Sequence, residues 1–294
     1  MIERCLIAAL TVVISPCAKS AFDVEEQLAK ARYEYSVEDN TSSALRRIDA
    51  ILEVQPDHLE ARWLRLWAGR LPNLVNMDVE SRMPYLRDVA EELQALVKLA
   101  EEQGNPAYGH YMLSRFARFH EAHDEAQREI DRAIQLAQTD PLYVWEKARG
   151  LMHMGIWNHD DETTYRGIDL LAHAWEMVKA NPPDYFTEAD FHFWTAWGLA
   201  AIKGSCSAEA PEIVEHYLAV TRLRERPNQQ VAHAWNNVSC PYRSMGQCAK
   251  AKGAAKSALE IMEFGAAKTN LRYAEFCLQM QELGVLPKET SPAQ

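Results

Sequence analysis

A small residue followed four and seven positions later by small or aliphatic ones recurs along this chain, and it confines the fold to stacked helices. The clearest copy is Ala44, Ile48 and Ile51 ahead of Pro56. Looser copies are Ala126, Ile130 and Ala133 before Pro141, then Gly167, Leu171 and Ala174 before Pro182, then Ala251, Ala255 and Ala258. Spacings of four and seven put all three residues on one helix face, where a neighbouring helix can come close. The pattern returns about every 36 to 46 residues, the mark of a stacked helical repeat.

Helical periodicity runs through nearly the whole sequence, and no segment shows a convincing strand alternation. The pattern predicts helix pairs at 23–36 with 41–54, 57–70 with 78–103, 106–120 with 122–138 and 141–154 with 162–180. Two more follow at 187–203 with 209–224 and 229–244 with 247–263, and a last helix, 268–283, stands alone. Thr41 and Thr187 are the expected N-caps, with Asp190 completing a box around Thr187, while Gly204, Gly246 and Gly284 stand where helices should stop.

The sixth pair carries the fullest motif: Trp235, Val238, Ser239, Tyr242 and Gly246 in its first helix and turn, then Ala251 and Ala258 in its second. This set resembles the tetratricopeptide-like repeat family, taking the places of its tryptophan, leucine, small residue, tyrosine, glycine and two alanines. The likeness covers most of the chain and is most specific near 44–56, 107–150 and 231–262. It implies an all-α fold, a right-handed α-α superhelix (solenoid) of about six helical hairpins plus a terminal helix. The repeat spacing exceeds the family's usual length, and Pro241 falls inside a first helix, so longer loops are expected.

The first twenty residues read as an address. After Arg4 comes an apolar run over 5–14, too short to span a bilayer, and Ala18 and Ser20 suit a signal-peptidase cut before Ala21. The expected organisation is a signal peptide at 1–20, one repeat domain at 21–287 and a tail at 288–294. Formal net charge is −11. Because the first twenty residues hold Arg4, Lys19 and Glu3, the rest is one unit more negative. An acidic surface repels phosphate backbones, so nucleic acid is not an expected partner, nor is membrane insertion after cleavage.

Beyond Cys5 and Cys17, the cysteines are Cys206, Cys240, Cys248 and Cys277, all in the last third. Four cysteines in an exported chain suggest two disulfides, with three possible pairings. The repeat register favours Cys206 with Cys248 and Cys240 with Cys277, with a local Cys240–Cys248 bridge as the main alternative. Periplasmic or secreted localisation follows as the expectation.

Catalytic signatures are sparse. The groups around His120 and His123, and around His159 and Asp160, sit at hairpin turns and read as polar turns; no metal site or cofactor is expected. There is no phosphate-cradling glycine loop or nucleophile motif. Eight tryptophans are many for such a chain, and pairs such as Trp63 with Trp67 or Trp194 with Trp197 have the spacing of residues packed between hairpins.

Carried through the chain, the register places twelve residues on the inward side of the first helices: Tyr108, Tyr111, Arg115, Arg118, Trp145, Arg149, Met152, Phe191, Trp194, His233, Asn236 and Arg243. Such a lining is basic and aromatic on an acidic molecule. It suits an acidic or C-terminal segment of a protein or peptide partner. In related modules an asparagine and basic residues clamp a terminal carboxylate, and Asn236 and Arg243 resemble part of that set. The sequence therefore points to a non-catalytic binding module or scaffold in the bacterial periplasm. The alternatives are a structural subunit of an envelope assembly and an (α/α) toroid that processes glycans.

Overall fold

The computed structural model describes residues 22–287 except 37, 184–185, 209–210 and 225; the expected signal peptide and tail lie outside the described residues. Antiparallel helices follow one another along the chain. α1 (Val24–Ser36) pairs with α2 (Thr41–Val54), and α3 (Leu59–Leu64) continues into a wider π-helical turn (Arg65–Arg70) before the short α4 (Asn73–Asn76) and the long α5 (Val79–Glu102). Next come α6 (Pro106–Phe119) with α7 (His123–Leu136), α8 (Pro141–Asn158) with α9 (Asp161–Val178), and α10 (Glu188–Lys203) with α11 (Pro211–Leu223). The sixth pair is α12 (Gln229–Ser244) with α13 (Cys248–Ile261), and α14 (Gly265–Glu282) ends the stack. No strand occurs among the described residues. The described residues form the expected all-helical stack of hairpins closed by a terminal helix.

The small-residue pattern explains how the pairs close. Ala44, Ala126, Ala133, Ala174, Ala251 and Ala258 are all buried. The same side-chain bond recurs in two hairpins: Ser114 Oγ donates to the Ala126 carbonyl at 2.8 Å, and Ser239 Oγ donates to the Ala251 carbonyl at 2.9 Å. At Gly167 the approach is tighter still. A Cβ there would lie 2.8 Å from the Met152 nitrogen and 2.9 Å from the Ala148 oxygen, so the backbones of α8 and α9 meet with no room for a methyl group. Apolar residues then fill the interior as a row of clusters: Ile48 and Ile51 in the first hairpin, Trp63 to Ala133 in the second and third with Tyr143 of the fourth joined to them, Met152 to Phe186 in the fourth, and Tyr217 to Val238 beyond.

Local signals are mixed in accuracy. Thr187 and Asp190 form the expected reciprocal cap, and Gly204, Gly246 and Gly284 adopt φ of 87°, 73° and 73°. The cap of α2 is Asn40 rather than Thr41; its side chain accepts from the Ser43 N–H at 3.1 Å. Residue Asn40 has the amide oxygen and the non-helical backbone that the position requires. α8 also runs to Asn158, beyond its expected end, and stops at His159 in the left-handed region.

The four cysteines are bridged, but in a pairing other than the favoured one: Cys206 with Cys240 and Cys248 with Cys277. The reason is positional. First helices run parallel, so the ends of α10, α12 and α14 share one edge of the stack with the start of α13. There Cys206 meets Cys240 across a Cα separation of 4.9 Å, which leaves Cys248, at the start of α13, to Cys277 of α14 at 5.6 Å. α12 packs between α11 and α13, so a Cys206–Cys248 bond would have to pass it. No described helix is long and apolar enough to cross a membrane.

Non-reducing peptide mapping should recover Cys206–Cys240 and Cys248–Cys277, and reduction should cost about 2–4 kcal/mol per bridge. In denaturant titration, Gly167→Ala should lose about 1–3 kcal/mol by overpacking. Gly253→Ala, whose added Cβ meets nothing within 4 Å inside α13, should gain about 0.5–1 kcal/mol.

Candidate functional site

The first helices of the six hairpins face inward and enclose a concave cavity of about 590 Å³. Seven of the twelve expected residues line it: Tyr108, Tyr111, Arg115, Trp145, Arg149, Trp194 and His233. Five do not. Met152 is core packing, and Phe191 is stacked on Trp175 at 5.8 Å. Asn236 is buried and accepts from Asn270 Nδ2 of α14 at 2.9 Å, while the Arg243 guanidinium lies 4.7 Å over the Tyr273 ring. Both are turned toward the terminal helix, because α14 covers that side of α12, so the partial resemblance to a carboxylate clamp fails in position. The fifth, Arg118, stands behind the wall.

Arg118 is there because of a residue the sequence reading passed over. Glu146, with its side chain 1% exposed, pairs with Arg118 and lies 3.6 Å from Arg149 and 4.0 Å from Arg115. Arg115 and Arg118 are three apart on α6, and Glu146 and Arg149 three apart on α8, so each pair shares a face and the two faces meet. Three guanidiniums thus surround one carboxylate. The Nε atoms of all three arginines and Oε2 of Glu146 are buried with no hydrogen-bond partner.

Aromatic rings hold the cations in place. The Arg115 guanidinium stacks 3.9 Å from the Trp67 ring, and its Nη1 donates to the Tyr111 hydroxyl at 2.9 Å. Arg149 is sandwiched between Trp145 at 4.6 Å and Trp194 at 4.2 Å. Such faces attract a desolvated cation electrostatically without neutralising it. Across the cavity Tyr35 of α1 shares a hydrogen bond with Trp67 and sits within the field of Arg115 and Arg149; burial raises its pKa.

The charges respond accordingly. Burial alone would raise the Glu146 carboxyl, but Arg118, Arg115 and Arg149 outweigh it and hold it below its ordinary value. Burial likewise opposes the charge of Arg115, yet Tyr111 and Glu146 raise its pKa. The excess falls on Arg149, pressed down first by burial and then by Arg118 and Arg115. Beside it, His153 packs 4.8 Å from Trp197 and is pushed down to about 3 by burial and by Arg118 and Arg149. The site therefore holds more positive charge than its own carboxylate neutralises.

The other acids in the cavity are already engaged. Glu60 pairs with Arg32, Asp140 accepts from the Leu142 N–H at 2.9 Å, and Asp190 accepts from Arg224 at 2.9 Å. Asp39 accepts from the Gln229 N–H at 2.6 Å. That last bond crosses from the first hairpin to the sixth. Beside it Arg226 Nη1 donates to Glu38 at 2.6 Å, so the solenoid curls until its first turn touches the loop before α12.

Neither a family model nor a curated protein matches the chain. Among solved structures it is similar to the crystal structure of the P58(IPK) TPR domain, at 15% identity and a TM-score of 0.38 over 88% of this chain; it spans 66% of that domain's length.

Acid should loosen the fold in two steps, the first at His153 beside the site and at His216 of α11, which packs against His192 of α10 away from the cavity, the second at Glu146. A buried histidine with a depressed folded pKa loses stability as pH falls from its unfolded value toward its folded one, about 3 for His153 and about 4 for His216. Each contributes a slope of at most about 1.4 kcal/mol per pH unit. Glu146, also depressed, contributes stability above the ordinary carboxylate range that is lost as pH falls through its folded pKa. Urea midpoints against pH should therefore decline below about 6.5, and His153→Gln with His216→Gln should flatten the upper part of the decline while leaving the lower.

Proposed function

We propose that this protein is an exported, non-catalytic binding module that holds an acidic segment or chain terminus of a partner protein in its concave groove. The observation that carries this reading is the charge imbalance at the floor: Arg115, Arg118 and Arg149 against Glu146, buried and walled by indoles. A carboxylate arriving between Arg115 and Arg149 offsets the repulsion among the three guanidiniums, and charge-assisted bonds in such surroundings are strong. Trp67, Trp145 and Trp194 add apolar area for the side chains on either side of it. Two disulfides support the exported setting. The engaged state of Glu60, Asp140 and Asp190 speaks against an acid–base pair for glycan hydrolysis.

A second reading, a structural subunit docked through its end, draws on α14, whose outer face exposes Tyr273 and Phe276. Titrating short peptides into the protein and following tryptophan fluorescence separates the two. Peptides with free acidic ends should bind, those with amidated, acid-free ends should not, and Arg115→Gln with Arg149→Gln should weaken binding by at least about tenfold. Thermal unfolding controls for the fold. Binding that survives both arginine changes, or that ignores the acidic end, refutes the groove; a partner lost only on Tyr273→Ser with Phe276→Ser establishes the end-docked subunit instead.

A further inference from the structure

The contact that closes the solenoid is made of the chemistry the groove is proposed to bind. Glu38 and Asp39 are adjacent acids in the turn between α1 and α2, and both reach a loop about 190 residues away. Glu38 takes the Arg226 guanidinium. Asp39 places its carboxylate on the Gln229 N–H, in the first turn of α12, where the helix dipole favours an anion. Asp39 does this from a left-handed backbone, φ 53°, a conformation that Asp adopts more readily than most residues with a Cβ. Arg226 is largely exposed, with a side-chain accessibility of 72%, so an incoming group can reach it. Asp39 and Gln229 both border the cavity that contains Arg115 and Arg149.

We infer that Glu38 and Asp39 are a tethered occupant of an acidic-segment site formed by Arg226 and the N-terminus of α12, and that a partner's own pair of adjacent carboxylates is admitted by replacing them. This rests on the groove reading and adds two things to it. The partner segment carries neighbouring acids, one for Arg226 and one for the helix end. Binding is also coupled to opening, because the replaced turn directly follows α1, whose Tyr35 lines the same cavity as Arg115 and Arg149. A tethered competitor acts at an effective concentration in the millimolar range, so it lowers apparent affinity without altering the site itself.

The test uses the full chain, either wild type or with Glu38→Gln and Asp39→Asn, and a blocked synthetic peptide copying residues 33–41. Amide hydrogen exchange of 226–231 reports the clasp independently of any ligand: Gln229 should exchange at least about tenfold faster in the double variant. Unchanged exchange overturns the clasp, whatever becomes of the groove. The peptide should bind the double variant at least about tenfold tighter than the wild type, since the tethered copy no longer competes. A peptide carrying the same two changes should not bind, and adding Arg226→Ala should abolish the gain. If exchange rises but the peptide binds both proteins alike, or neither, the turn is a structural clasp and not an occupant, and the inference falls. The acidic-end titration with Arg149→Gln decides the groove separately.

Discussion

One carboxylate holds the middle of this molecule together. Glu146 sits where the third and fourth hairpins meet, and three guanidiniums from α6 and α8 converge on it. Removing one partner of a buried ion pair leaves an uncompensated charge and typically costs about 3–5 kcal/mol. That arrangement fixes the rotamers of Arg115 and Arg149 against their indoles. The cavity's floor, its field and its aromatic walls follow from the placement of a residue that does not itself face the cavity.

Indole stacking accounts for why such a charge excess is tolerable. The Arg149 guanidinium lies over the rings of both Trp145 and Trp194, and that of Arg115 over Trp67. The guanidinium is weakly hydrated and planar, so it surrenders less on leaving water than an ammonium does, and lysine could not stack in its place. The edges of the fork are what remain for hydrogen bonding. The wall therefore does two jobs: it keeps the cations folded inward, and it leaves their in-plane donors as the reactive feature of the groove.

What was legible in the sequence is what local periodicity encodes. Small residues at four and seven placed the helix crossings, and the register derived from them put Tyr108, Arg115, Trp145, Arg149 and Trp194 on the inner face. The errors share a physical cause, which is that they concern neighbours set by the stack. Asn236 and Arg243 were taken from the groove by α14, a helix whose side of approach no spacing reveals. The disulfide partners depended on which ends share an edge. Glu146 resembled any other charged residue on a helix, although Arg115–Arg118 and Glu146–Arg149, at the same spacing on successive first helices, were a signal available to a reader looking for charge pairs.

The clasp between the first and sixth hairpins has a different status from every contact beneath it. In a solenoid each repeat rests on its neighbours, and stability accumulates as a sum of adjacent interfaces. Glu38 and Asp39 step outside that scheme, reaching a loop about 190 residues away. Because the intervening helices already curve, bringing the two loops together demands little further ordering, and a few polar bonds suffice. An apolar seam would have sealed the groove as firmly as the core. A clasp built from an exposed arginine, a helix end and two carboxylates is open to water and screened by salt. The hairpins set the dimensions of the groove through close packing, and its mouth is closed by polar contacts at the surface, where water and salt weaken them most.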